Sequence, residues 1–324
     1  MRVLAIDIGG TKSSVGLCEL NGGIVTNVAG LATFQSKKYQ SMLDIVDDWQ
    51  KTHPSLSFSA VGAGVAGPVL NDKVHLTNLG WDIDASIIGG SLGVPVRICN
   101  DMEAHGWGIL GLTPNHIVAL NAGISKSGAK ALIAAGTGLG ESVIGWDGKR
   151  NYPLAGEGGH SSFSPTNDVE DKLLTFLRLE LGGHVSWERV LGGFDGFRHL
   201  TRFLTQNQSA GLPSYVTVLP KEQLDWGAAT VVAAESGDPF ADKVLTLYAS
   251  LYGKEASNLA LKCVPRGGVY LGGGIAPRIL PWLKRGFMAG FKDKGRFSNL
   301  LSEIPVSVIT DKLNGLKGAA LQLV

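Results

Sequence analysis

Two short stretches set glycine and a hydroxyl residue directly after an apolar run: Asp7-Ile8-Gly9-Gly10-Thr11 and Ala135-Gly136-Thr137-Gly138. Backbone N–H groups can surround a phosphate only where no side chain blocks the approach, so glycine beside threonine at a strand end suits polyphosphate binding. Asp7, two positions before Gly9, suits a Mg2+ ion held through water beside that phosphate. Any single loop of this kind is more simply a hairpin bend or bulge. The recurrence about 130 residues later, together with Asp7, Thr11 and Thr137, tips the reading toward phosphate. Neither loop has the pattern G-x-x-x-x-G-K-[ST], and no G-x-G-x-x-G leads into a helix, so P-loop and dinucleotide chemistry lose ground.

Transfer of a phosphoryl group to an alcohol also needs a base that can accept the hydroxyl proton. Asp101 fits that role, because it follows the apolar run Pro95–Cys99 and emerges at the C-terminal end of a strand, where α/β proteins commonly place ligands. Its plain alternative is the cap of a helix beginning near Met102. Glu157 and His160 share the glycine-rich loop Ala155-Gly-Glu-Gly-Gly-His160, whose backbone freedom lets polar side chains close around a small hydroxylated ligand. Taken singly, each reads as an ordinary loop residue. Glu188 follows Ser186 at a helix start, a place that favours a carboxylate with or without a ligand. Thr77-Asn78 reads either as an ordinary turn or as a further polar contact.

The elements that must carry these residues follow from apolar periodicity. Strands are expected at 2–8, 14–20 and 24–32, with Asn21-Gly22-Gly23 as the hairpin turn between the last two. A helix over 42–51, strands near 59–66 and 95–99, and a helix over 102–110 come next. Strand 130–135, the second glycine loop and strand 141–146 repeat the opening, which points to two related domains facing one ligand. The stretch 168–205 reads as helical. An amphipathic helix over 237–262 carries Leu245, Tyr248, Leu251, Tyr252 and Leu259 on one side. Strand 269–271 runs into Gly272-Gly273-Gly274, and a helix is expected from Pro277.

Length and composition bound the reading. The chain has 324 residues, 44% hydrophobic and 18% charged, with a net charge of +1, as in an ordinary globular protein of about two domains. No basic stripe argues for nucleic acid or an anionic membrane surface as partner, and no apolar run is long enough for a spanning helix. Cys18, Cys99 and Cys263 stand far apart, with no zinc spacing and no clustered His, so reduced buried thiols and no structural metal are expected. A cytoplasmic location is the default that remains.

Asp7-Ile-Gly-Gly-Thr11, Asn100-Asp101, Gly136-Thr-Gly-Leu-Gly140, Gly156-Glu-Gly-Gly-His160, His184-Val-Ser-Trp-Glu188-Arg-Val-Leu, Leu271-Gly-Gly-Gly-Ile275 and Asp293-Lys-Gly-Arg-Phe297 occur in the order and spacing of the bacterial glucokinases, and as a set the chain resembles that family along nearly its whole length. The resemblance implies an α/β, two-lobed actin-like ATPase (ribonuclease H-like) fold with duplicated domains and an interlobe cleft. It implies a small domain of residues 1–111 plus 311–324 and a large one of 112–310. It places Ile6, Asp7, Ile8, Gly9, Gly10 and Thr11 with Gly136, Thr137 and Gly138 around the phosphates of ATP, and Gly272, Gly273 and Gly274 near the adenosine. Asn100, Asp101, Glu157, His160 and Glu188 are assigned to sugar hydroxyls, with Asp101 as base and Asn78 as a weaker candidate. Asp7 would serve Mg2+ arriving with the nucleotide. Lys12 stands where these glucokinases carry Asn and is similar to the wider repressor-and-sugar-kinase group; it follows the first phosphate loop closely enough for its ammonium to reach a phosphate oxygen of ATP, with a solvent-facing lysine as the alternative. The implied partners are glucose and ATP, and a homodimer is what the family implies. Kinases of the same fold acting on another hexose or amino sugar share these features. A sugar-sensing regulator would need a DNA-binding segment ahead of the first strand, for which Asp7 arrives early.

Overall fold

The computed structural model describes residues 1–206, 211–217 and 224–324. Thirteen strands are found among them. The first sheet is built from β1 (Arg2–Ile8), β2 (Lys12–Asn21), β3 (Ile24–Gln35), β4 (Ala60–Val65) and β7 (Val96–Asn100), in the order β3-β2-β1-β4-β7. The meander β1–β2–β3 is antiparallel, while β4 and β7 add on in parallel beside β1. β4 is buried at all six positions, as a central strand covered on both faces must be. A separate antiparallel pair is made by β5 (Lys73–Leu76) and β6 (Trp81–Asp84).

The second sheet runs β11-β10-β9-β12-β13-β8, with β8 (Ile117–Asn121), β9 (Lys130–Ala135), β10 (Leu139–Trp146), β11 (Asn151–Leu154), β12 (Val269–Gly272) and β13 (Val306–Ile309). It repeats the plan of the first: three strands consecutive in the chain, then two that return as parallel neighbours, β12 on β9 and β13 on β12. β8 is an antiparallel addition on β13. The chain therefore folds the same supersecondary unit twice.

Contacts group the chain into two compact units, Met1–His116 with Ser142–Ala155 and Asp311–Val324, and Ile117–Glu141 with Gly156–Thr310. The hairpin of residues 142–155 belongs with the first unit because Gly106 of the helix Asp101–Leu110 packs on Pro153; a Cβ at Gly106 would lie 2.8 Å from the Pro153 Cβ. The core of the first unit gathers Leu4, Ile6, Ile45, Trp49 and Val61, all fully buried. Burial of such side chains stabilises by about 1.5–3 kcal/mol each relative to exposure. The Trp49 indole also donates to the Gly30 carbonyl.

In the second unit the helix Pro239–Cys263 starts with Pro239 in its first turn and Asp238 capping the Phe240 and Ala241 amides. Its apolar face was legible, and Leu245, Tyr248, Leu251 and Tyr252 are fully buried. The helix is not simply amphipathic, however: Lys254, Glu255 and Ser257 are buried too. Lys254 is held by Glu170 at 2.7 Å and Asp293 at 3.0 Å. The helical stretch 168–205 divides into Asp168–Leu181, Trp187–Leu191 and Gly193–Thr205. Gly182 ends the first of these in the left-handed region. The helix expected from Pro277 begins at Leu280 instead, because the amides of Arg278 and Ile279 both bond back to the Ile275 carbonyl in a tight turn. Cys18 and Cys99 are buried, Cys263 is half-buried, and none is in a disulfide. No helix among the described residues is long and apolar enough to cross a membrane.

Candidate active site

In the first unit, the turn between β1 and β2 is closed by its own backbone: the Gly9 amide donates to the Lys12 carbonyl at 3.0 Å. A Cβ at Gly9 would stand 2.9 Å from that oxygen, so the turn is too tight for a side chain. Ser36 braces it from the end of β3, with its hydroxyl donating to the Gly9 carbonyl at 2.7 Å and its amide to the Thr11 carbonyl at 3.0 Å. Gly10 is open, with the Asn78 side chain as its nearest neighbour, 3.9 Å from where a Cβ would be. Asn78 thus sits beside the glycine turn, and both line a cavity of about 210 Å³ together with Gly67 and Thr77.

Asp7 and His105 both face the Gly315 backbone; a Cβ there would be 3.4 Å from Asp7 Oδ2 and 3.0 Å from His105 Nε2. Burial raises the Asp7 carboxyl above its ordinary range, and the nearby His105 opposes the shift. A shielded carboxylate that lacks full compensation gains from a cation. Among the described residues no cluster of three or more His, Cys, Asp and Glu could hold a metal alone. That donor set fits Mg2+, which keeps waters and phosphate oxygens and takes one or two protein carboxylates.

β7 delivers Asn100 and Asp101 to the start of the helix Asp101–Leu110. The helix cap falls to Asn100: its Oδ1 accepts from the Met102 amide at 2.9 Å, and its own backbone amide donates to Glu103 Oε2 at 3.1 Å, completing a capping box. The Asn100 amide group donates to the Gly67 carbonyl at 3.0 Å. Both ends of this buried side chain therefore serve the fold. Asp101 occupies the first helical position, partly exposed, with Oδ1 also accepting from the Met102 amide at 2.9 Å.

In the second unit, the glycine loop between β9 and β10 is braced from outside. Gly193 donates to the Gly136 carbonyl at 2.8 Å, and Glu188 Oε2 accepts from the Leu139 amide at 3.1 Å. A Cβ at Gly138 would lie 2.2 Å from that same oxygen, so a side chain there would push the carboxylate off the Leu139 amide. The other oxygen of Glu188 faces His160 Nδ1 at 3.9 Å, while His160 Nε2 faces Glu157 Oε2 at 3.8 Å. The second unit so gathers Glu157, His160 and Glu188. The separations exceed hydrogen-bond length, leaving acceptors and donors able to turn toward hydroxyls.

A cavity of about 680 Å³ is lined by Gly136, Thr137 and Gly274, and also by Gly193, Asp225 and Arg278. Gly272 and Gly273 do not line it. Gly273 has φ near 79° and packs on the Ala135 carbonyl, holding β12 against the end of β9. Gly193, Asp225 and Arg278 escaped the sequence reading. The signals available were the Gly192-Gly193 pair ahead of a helix and Asp225 as the cap of the helix Trp226–Glu235. Lys12 is the exposed first residue of β2, and Thr11 is exposed beside it.

A model of the glucokinase family matches residues 4–324. A glucokinase of Synechocystis is 36% identical, with 99% of this chain and 97% of that protein covered. The crystal structure of a glucokinase from an Antarctic psychrotroph superposes with a TM-score of 0.84 at 29% identity, covering 99% of this chain and 98% of that one. A ROK-family glucokinase from Streptomyces griseus, solved with glucose and AMPPNP, shares the fold at a TM-score of 0.66 and 22% identity over 99% of this chain and 98% of that one. The fold is the actin-like ATPase fold of the sugar kinases, and the chain belongs to the glucokinase family.

Proposed function

We propose that this protein transfers the γ-phosphoryl group of ATP to glucose, giving glucose 6-phosphate and ADP, as a cytoplasmic homodimer at the first step of glycolysis. The observation that carries the reading is the double use of Glu188 in a chain of this family: one oxygen holds the Leu139 amide beside the glycine loop, and the other faces His160 and, through it, Glu157. In this reading Glu157, His160 and Glu188 bind sugar hydroxyls, and the nucleotide occupies the cavity of Thr137 and Gly274. Asn100 fixes the start of the helix that carries Asp101. The Asp101 carboxylate accepts the proton of the attacking hydroxyl as the new O–P bond forms and the bond to the ADP oxygen breaks. The Ile6–Thr11 and Gly136–Gly138 segments offer N–H groups to the phosphates. Asp7 is the residue to hold Mg2+, which when bound supplies neutralisation of phosphate charge.

A site that pairs hydroxyls can reject an analogue lacking one by roughly 10⁴ in kcat/KM. A coupled assay across glucose, mannose, fructose, galactose and N-acetylglucosamine should therefore rank glucose first, and Glu157→Gln should weaken the use of glucose more than that of ATP. Another sugar exceeding glucose severalfold in kcat/KM would replace the substrate proposed here. Light scattering in solution tests the homodimer.

A further inference from the structure

The Gly158–His160 turn rests on β10. A Cβ at Gly159 would lie 1.9 Å from the Leu139 carbonyl oxygen, and one at Gly158 would lie 2.1 Å from Glu141 Oε2. The turn that presents Glu157 and His160 is therefore seated directly on the Glu141 carboxyl. Glu141 is 3% exposed and meets a second buried carboxyl, Glu255, which is wholly buried on the helix Pro239–Cys263. Asn258 donates to Glu255 Oε2 at 2.7 Å. Oε1 of each glutamate finds no donor among the described residues. Two buried carboxylates in contact cannot both hold their charge, whereas one proton between them lets the two carboxyls hydrogen-bond to each other.

We propose that Glu141 and Glu255 form a carboxyl pair that shares one proton and thereby positions the Glu157–His160 turn for sugar binding. The proposal rests on the sugar role given above to that turn. Burial, and then the Glu141 charge, push Glu255 up to about 9; burial raises Glu141 as well. The other charged or titratable groups facing the pair are Lys262 and Tyr252 on the same helix and Lys294 from the following segment. Removal of the shared proton sets two negative charges side by side, with the turn packed on one of them. Glutamine at either position keeps the shape and removes that second charge.

The test is the pH dependence of KM for glucose and for ATP in the full-length enzyme, its Glu255→Gln variant and its Glu141→Gln variant. In the unmodified enzyme KM for glucose should climb by up to about tenfold per pH unit above about 9 while KM for ATP stays level. Either Gln variant should flatten that climb. Folded variants that keep the unmodified profile overturn the proposal. Infrared spectroscopy of the unmodified enzyme needs no variant: a neutral buried carboxyl band should be present near pH 7 and vanish above about 9, and its absence near pH 7 also overturns the pair. Glu157→Gln separates the two readings. Should it leave glucose use intact, the sugar role of the turn fails, while the infrared band still decides whether the pair holds its proton.

Discussion

The two glycine loops look alike in sequence and are held in different ways. The Gly9-Gly10 turn is closed by its own strands, by the Gly9 amide on Lys12 and by the small buried hydroxyl of Ser36. The Gly136–Gly138 loop is held from outside, by Gly193 of a following helix and by the Glu188 carboxylate. A loop closed by its own hairpin can change without disturbing distant residues. A loop fastened by a carboxylate that also faces His160 ties that loop to the Glu157–His160 turn, the two sides proposed above to meet phosphate and sugar. Duplication thus supplied the same backbone twice, and the side chains around it gave one copy a second task.

That contrast predicts unequal consequences. Glu188→Ala removes the brace of one loop and a carboxylate proposed to accept sugar hydroxyls, so kcat/KM should fall by roughly 10² to 10⁴ with KM raised for both substrates. A rise in KM for glucose alone would break the proposed tie. Ser36→Ala removes a buried donor to the first loop; chemical denaturation should show a loss of about 1–2 kcal/mol, and KM for ATP should rise while that for glucose holds. Lys12→Ala is the mildest change, because Lys12 is exposed and an exposed ammonium reaching toward a phosphate would act only as a screened point charge. KM for ATP should rise about two- to fivefold, and unchanged constants would return Lys12 to the surface.

How much of this was legible in the sequence depended on whether a signal lay within one element. The opening meander announced itself through alternation and Asn21-Gly22-Gly23, and β1–β3 follow it closely. The short strands β5, β6, β8, β11 and β13 carry four or five residues each, too few to show a period. Gly182 and Gly192 broke a stretch that periodicity read as continuous, since a helix end is decided by one residue. Glu157, His160 and Glu188 were named through family resemblance; as lone residues they read as surface or cap. The cap considered for Asp101 belongs to Asn100, a difference of one position that only backbone geometry settles. The meeting of Glu141 with Glu255 joins residues far apart in the chain, and no spacing rule marks it.

The central claim is that the Asp101 carboxylate takes the hydroxyl proton. Asp101→Asn is the direct test, because Asn can keep the acceptor toward the Met102 amide and the capping box around Asn100 is untouched. Turnover and glucose affinity should be measured on the same folded preparation, by coupled assay and by calorimetry. Loss of a general base costs roughly 10² to 10⁴ in rate, so kcat should collapse by that factor while glucose still binds. A folded Asp101→Asn enzyme that binds glucose and turns it over at a near-normal kcat would contradict the mechanism.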